Sequence, residues 1–515
     1  MKNRIGCTFY LLYLCFNFNC LLLQGEEPLQ RAQEMNSKKD LFGELSDCPT
    51  LTGRVITRDD PGYEEARLVS NFYPSKQKFP DTIVYCQRVE DVQNAVKWAR
   101  CHQKNIRIRS GGHNHEAFST GTGSIVIDVS EMKQLQIDKA KRIATVQPGL
   151  TGGELYRRLY DVGLTQVGGT CSDVGISGLI LTGGMGPLYR KHGLACDSLL
   201  KLELVDVNGN LIHATKDNEH KDLFWASCGG GGGNFGIVTS LTLQVYPADS
   251  VTWFNIGWDW DQPIDQVFST WQDFFAKPDD RWFSHIDLWS KAFPIDTFKK
   301  QPVKVMGVFW GTPEEAHKEL APFLNIGRPN DQTIESVTWN KAIKAFEDAT
   351  SVFITEKPEY KSTGAFVMKP FPQDAIKTIT TSLKNTKAPL FNVLLFSLGG
   401  GIKKMAPNAT AYFYRQADFF VSYSIQWLQA NDDVQQIGEV DTLRNRLLPY
   451  TQGDYIGNPD RSLKDYLSAY YGDNAPRLRC IKRKYDPTEV FHFEQSIPPA
   501  PADWNCTSNE YKNVK

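Results

Sequence analysis

Arg109-Ser-Gly-Gly-His-Asn-His115 puts two imidazoles two residues apart behind a pair of glycines. The glycines let the backbone turn sharply and approach a flat or charged ligand. His113 can then be a cofactor attachment point, a base, a metal ligand or a turn residue, and its type alone leaves these open. Metal binding is the weakest of them, because His113 and His115 have no third ligand in view and no Cys-x-x-Cys pair or Cys/His cluster occurs. Two other glycine-rich stretches carry chemistry. Gly168-Gly-Thr-Cys171-Ser-Asp-Val-Gly holds a thiol that is half of a disulfide, a small core residue, or a nucleophile beside something planar. Gly229 to Gly236 reads GGGGGNFG, and its last six residues match the dinucleotide pattern GxGxxG. That pattern should follow a strand and open a helix, whereas here a helix precedes and an alternating strand follows. A flexible loop and a run of peptide N–H groups facing pyrophosphate both remain open for it.

The elements that position these stretches are mixed α/β. Val89 to His102 has apolar residues at helical spacing (Val92, Ala95, Val96, Ala99) and precedes a short strand, Ile106-Arg-Ile, that feeds the Gly-Gly-His turn. Ser124-Ile-Val-Ile-Asp-Val alternates as a strand. Glu154 to Tyr160 reads as a short helix, and Leu202 to Asn210 as a strand entering a hairpin. Ile237 to Val245 alternates, which puts Ile237, Leu241, Leu243 and Val245 on one face. Residues 250–450 are richer in Trp and Phe and alternate strand-like runs (254–258, 303–309, 391–396) with helical ones (313–323, 372–383, 434–448), a second α+β domain. The tail from Asn474 to Pro499 differs in texture from both.

A chain of 515 residues can bury one large core or two to three domains, and 41% apolar with 12% aromatic residues suits a folded protein. A net charge of −2 gives no reason to expect a nucleic acid or an anionic membrane as partner. The N-terminus starts basic, runs apolar to Leu23 and ends in Gln24-Gly-Glu-Glu, the layout of a secretory signal peptide over residues 1–24. Export places the mature protein in an extracellular or secretory-pathway setting with no membrane association after cleavage. Three of the 11 cysteines fall in this leader, and the oxidising compartment permits disulfides among the rest. Asn408-Ala-Thr and Asn505-Cys-Thr are glycosylation sequons consistent with export.

Three glycine-rich segments, one with a histidine and one with a cysteine, have one explanation in common. The chain resembles the FAD-linked oxidases of the vanillyl-alcohol-oxidase superfamily, in the berberine-bridge-enzyme-like branch, and particularly bacterial and carbohydrate-type oxidases. The resemblance runs from about Leu51 to Pro499. Its motifs are RIRSGGHNHE (107–116), SIVIDVSEM (124–132), GGTCSDVGISG (168–178), GPLYRKHGLACD (186–197), DLFWASCGGGGGNFGIVT (222–239) and the tail 470–499. It implies an α+β fold: a PCMH-type FAD-binding domain of two α/β subdomains (48–250), an α+β substrate domain with an antiparallel sheet (251–450), and a C-terminal segment (451–499) completing the FAD domain. It implies FAD bound covalently twice, through His113 and Cys171. The implied flavin-binding set is Arg109, Ser110, Gly111, Gly112, His113 and Asn114 in the first stretch, then Gly169, Cys171, Ser172, Val174, Gly175, Ser177, Gly178 and Gly184. Gly236, Ile237 and Val238 follow, with Asn474 in the tail. The residue three after the cysteine is often Val in oxidases of the family, and here it is Val174. Relatives also often tie an N-terminal Cys to the Cys of the helix before the Gly-Gly-His turn, which are Cys48 and Cys101 here.

The departures from the family pattern fall on the acid/base group. The family base is often a Tyr in Tyr-x-Asn-Tyr-x-Asp, where this chain has Tyr455-Ile-Gly-Asn-Pro-Asp460 and so places Asn458 at the usual base position. An amide cannot take a proton at ordinary pH. Ser422 stands where relatives have Gln or Glu, Met185 where plant members often have Tyr, and His115 where many have Tyr. His115 and Tyr455 are therefore the candidate bases, with Tyr423 behind them. The implied function is a secreted oxidase taking hydride from an alcohol or sugar carbon and reducing O2 to H2O2. The alternatives are a dehydrogenase with another acceptor and an FAD-bearing binding glycoprotein without turnover. The partners are then a small molecule (a sugar, an alcohol or a secondary metabolite) and O2. Substrate and oligomeric state are not readable.

Overall fold

The alternating run after Ser124 forms the strand Ile125–Asp128, and all four of its side chains are buried. It lies between parallel neighbours Thr82–Tyr85 and Ile106–Arg109, and Arg54–Thr57 adds an antiparallel edge. A computed structural model describes residues 48–277, 279–295, 301–350, 358–427 and 432–506. The expected leader over 1–24 lies outside them, and the residues from Pro49 on form one unit. Helix Val89–Cys101 connects Thr82–Tyr85 to Ile106–Arg109 and buries Val92, Ala95, Val96 and Ala99, the stripe the spacing requires. Ile106–Arg109 is an edge strand, so the chain leaves it directly into the turn that carries His113.

A second, antiparallel sheet has five strands in the order Leu135–Asp138, Ile143–Val146, Ile237–Gln244, Leu199–Val205 and Leu211–Thr215. The single-face expectation for Ile237 to Val245 is corrected here. The pairing with Leu199–Val205 shifts register between Val238 and Ser240, a bulge that redirects the strand. Ile237 therefore packs with Val84, Ile127 and Val205 in the first core, while Val238, Leu241, Leu243 and Val245 pack in the second.

The third sheet is antiparallel with seven strands, in the order Asp331–Val337, Val251–Trp258, Val303–Phe309, Trp282–Trp289, Leu390–Ser397, Phe419–Trp427 and Glu359–Val367. Helices Ile264–Phe275, Gln373–Asn385 and Asp433–Leu447 cover one face with a core that includes Phe268, Trp271, Ile379 and Leu443. The other face carries Phe283, Phe366 and Phe420 into the core shared with the second sheet. The architecture is thus α+β, built on a four-stranded mixed sheet, a five-stranded antiparallel sheet and a seven-stranded antiparallel sheet.

The tail then returns to the glycine-rich run. Lys482 is fully buried and gives Nζ hydrogens to Asn234 O at 2.7 Å and Phe491 O at 2.8 Å while pairing Asp486 at 2.6 Å. A buried ammonium with fewer partners would be strongly destabilising. Asn234 in turn donates to Gly230 O (3.0 Å) and accepts from Ile497 N (2.8 Å), so the run is clamped from both sides.

Cys480 and Cys506 form a disulfide, and Cys48 and Cys101 are each disulfide-bonded. Cys86, Cys171, Cys196 and Cys228 are free. Peptide mapping without reduction is expected to recover Cys48 with Cys101 and to find Cys171 joined to no cysteine. A Cys171 disulfide would rule out its attachment to flavin. Loss of a native bridge is expected to cost about 2–5 kcal/mol, the range typical of small disulfide-bonded domains. Among the described residues no helix is long and apolar enough to cross a membrane.

Candidate active site

The first two glycine-rich stretches are pressed against each other. A Cβ on Gly111 would lie 2.3 Å from Gly175 N, and one on Gly175 would lie 2.5 Å from Gly111 N, so neither position has room for a side chain. Gly112 follows with φ +70, a conformation that favours glycine. Ser110 Oγ and Ser177 Oγ both donate to Pro148 O, at 2.7 and 3.2 Å. Gly152 N and Gly153 N donate to Val174 O (2.9 Å) and Ser172 O (2.8 Å), and Tyr156 Oη donates to Gly169 O (2.8 Å). Ser172 Oγ also bonds Glu347. The loop bearing Cys171 is thereby fixed beside the loop bearing His113.

This packing brings His113 Nε2 to 3.1 Å from Asp173 Oδ2. The His113 hydrogen bond holds the Asp173 carboxyl below its ordinary range, against partial burial. An ionised carboxylate only accepts, so Nε2 carries a hydrogen directed at it. Two residues on, His115 Nδ1 lies 2.7 Å from Asn458 Oδ1. Ser362 Oγ donates to the same Oδ1 at 2.9 Å, and Asn458 Nδ2 donates to Ser422 Oγ at 3.2 Å. His115 also packs edge-on against Tyr360, and its own carbonyl accepts from Asn71 Nδ2 at 2.8 Å. Protein crowds the ring although part of it stays accessible. Desolvation pulls its pKa down to about 4; the Asn458 bond opposes this, and nearby His113 and Lys361 add to it.

Tyr455 lies on the same side of the third sheet, against Phe366 and Phe420. Its oxygen meets Gly184 N at 3.2 Å and Thr182 Oγ1 at 3.3 Å. Burial raises its phenol above the ordinary value despite those donors, which leaves it the proton.

Other expected residues sit elsewhere. Tyr423 is corrected: it is fully buried on the helix-covered face of the third sheet, one residue out of phase with Ser422, because side chains alternate along a strand. Arg109, expected from the resemblance in the flavin-binding set, is engaged by Asp128 and by Tyr85 Oη in a core ion pair. Asn114 Oδ1 accepts from Glu116 N and Phe118 N and so shapes its own loop. Ile237 and Val238 turn their side chains into the two cores, and Gly236 abuts Leu204 and Val205. Asn474 gives its amide to the carbonyls of Pro407, Thr410 and Ala411, tying down that loop. Gly178 faces open space beside the Cys171 loop. Asp173 and Ser362 were not singled out in the sequence. Asp173 had a signal, two residues past Cys171; Ser362 had none, lying 96 residues from the amide it meets.

Residues 80–215 match the FAD binding domain family, and residues 454–498 match the berberine and berberine like family. The chain is 39% identical over 452 residues to the FAD-linked oxidoreductase YgaK of Bacillus subtilis, itself uncharacterised, covering 87% of this chain and 97% of the relative. The wild-type berberine-bridge-like protein 1 of Physcomitrella patens superposes with a TM-score of 0.79 at 27% identity, over 88% of this chain and 98% of that one. The grass pollen allergen Phl p 4, described as having glucose dehydrogenase activity, superposes with a TM-score of 0.77 at 25% identity, over 87% and 97% of the two chains. An isoleucine-to-valine variant of that allergen is described as a glucose oxidase. The chain belongs to the berberine-bridge-enzyme-like family of FAD-linked oxidoreductases.

Proposed function

We propose that the protein is a secreted FAD-dependent oxidase acting on an alcohol or sugar carbon, with the cofactor held through both His113 and Cys171. The observation that carries this reading is the pair of interlocked loops. They present one imidazole anchored through Nε2 and one exposed free thiol, with His115 two residues beyond the imidazole. The open space at Gly178, on the helix that follows the Cys171 loop, fits a flat ring system lying against backbone. Flavin bound there supplies the hydride acceptor and the route of electrons to O2. His115 takes the hydroxyl proton of the substrate at Nε2, and Asp173 orients His113 for attachment. Disulfides at Cys48, Cys101 and Cys480–Cys506 support an oxidising compartment, hence secretion. Val174 supports oxidase over dehydrogenase, and the change to valine in Phl p 4 goes in the same direction.

The second reading, a dehydrogenase using another acceptor, is favoured by the parent form of that allergen. Peroxide release measured across a panel of sugars, alcohols and secondary metabolites separates the two. Catalytic turnover with H2O2 is expected. Flavin bleaching by a substrate under nitrogen without reoxidation by air would favour the dehydrogenase, and no bleaching by any compound would leave a binding protein.

A further inference from the structure

Three polar side chains, His115, Ser422 and Asn458, are far apart in sequence and joined in space. Asn458 stands between the other two, with Oδ1 on His115 Nδ1 and Nδ2 on Ser422 Oγ, and Ser362 completes the shell around the amide. An imidazole beside a phenol or a carboxylate shares its proton with a group that itself titrates. Beside an amide it does not, because Asn neither gains nor loses a proton in the working range.

We propose that Asn458, backed by Ser362 and Ser422, is a positioning residue that locks neutral His115 in the tautomer with hydrogen on Nδ1, so that the Nε2 lone pair is presented to the substrate hydroxyl. This rests on the reading of His115 as base and adds what sets its direction. The amide oxygen already takes the Ser362 hydrogen, and a second donor at 2.7 Å completes its two lone pairs. Nε2 makes no hydrogen bond among the described residues and is not among the buried atoms lacking a partner, so it stays accessible. In the step, the substrate O–H bond breaks and an N–H bond forms at Nε2; Asn458 Oδ1 then solvates the Nδ1 hydrogen of the resulting imidazolium.

The titratable groups facing His115 are His113 on its own segment and Lys361 on the neighbouring strand, with Tyr360 in ring contact. The charge of Lys361 is matched by Glu116 at 2.8 Å and Asp460 at 2.5 Å. The unmatched influence on the ring is desolvation, which keeps His115 neutral down to about pH 4. The acid limb of flavin reduction should therefore lie well below the ordinary histidine value of about 6.5.

The test is histidine-selective 15N NMR on the holoenzyme, with His115 assigned by His115→Gln, alongside the pH profile of anaerobic flavin reduction. Wild type is expected to show hydrogen on Nδ1 throughout pH 5–8. Asn458→Asp places an anion on the ring and should raise the His115 titration by roughly 1–3 units, as opposite charges at this range do, carrying the acid limb with it. Asn458→Leu should leave mixed tautomers and slow reduction by roughly 10²-fold with KM little moved, the scale of a misplaced group. Hydrogen on Nε2 in wild type would overturn the proposal without any variant needing to fold. So would an Asn458→Leu protein that keeps both the tautomer and the rate. If His115→Ala reduces flavin at the wild-type rate while the tautomer is as stated, the base assignment fails and the lock stands.

Discussion

His113→Ala protein is expected to stay yellow after acid precipitation, through Cys171 alone, and Cys171→Ser to stay yellow through His113 alone. The double variant should lose its colour to the supernatant. Each wild-type peptide spanning one of the two residues should carry the flavin mass. Each loop has a tie to the scaffold of its own: the first continues the edge strand Ile106–Arg109, and the second accepts hydrogen bonds from Gly152 N and Gly153 N. Removing one nucleophile therefore leaves the other in place. Asp173 belongs to the second loop but holds the imidazole of the first, so Cys171→Ser should keep His113 oriented. Complete loss of colour from the wild type would refute both bonds.

The second large effect is at His115. His115→Ala should slow anaerobic flavin reduction by roughly 10²–10⁴-fold, the range of general-base catalysis, with flavin attachment intact. Attachment should survive because the His115 side chain bonds Asn458 and, among the described residues, no hydrogen bond from it reaches His113, Asp173 or Cys171. Since the imidazole titrates at about 4, the wild-type rate should hold flat from neutral pH down to about 5 and fall only below that. The folded protein binds this proton less readily than the unfolded chain does, so folding stability from this group also declines as pH drops below about 6.5. A rate within a few-fold of wild type would dismiss His115 as the base, and Tyr455→Phe would be the next variant to examine.

Much of this was legible in the sequence because it is local. The helix Val89–Cys101 and the turn to His113 follow from spacing within a few residues, whereas a Cys171 outside any disulfide follows only from the family resemblance. Of the third sheet, Trp282–Trp289 shows why the rest was hidden: all eight side chains are buried, so the strand has no polar face and no alternation to read. Tyr423 failed as a site residue for a related reason. Nothing in one sequence says which face of a half-read strand meets the cofactor, and a shift of one residue exchanges the faces. The bulge at Val238 to Ser240 likewise has no signature apart from its partner strand. Asn458 could be seen to lack basicity, but its contacts come from residues 343 and 96 positions away, which only the fold brings together.

The Lys482 clamp has a consequence for the order of events during synthesis. Asn234 and Lys482 are 248 residues apart, and Asn234 and Ile497 are 263 apart. A ribosome that has finished the first two sheets has not yet made the residues that hold the glycine-rich run in place. That half of the molecule therefore waits, incomplete, while the seven-stranded sheet is translated. Contacts of such long sequence separation form late and slowly. The glycine-rich run is accordingly expected to take its final form only after Lys482 and Ile497 have been made.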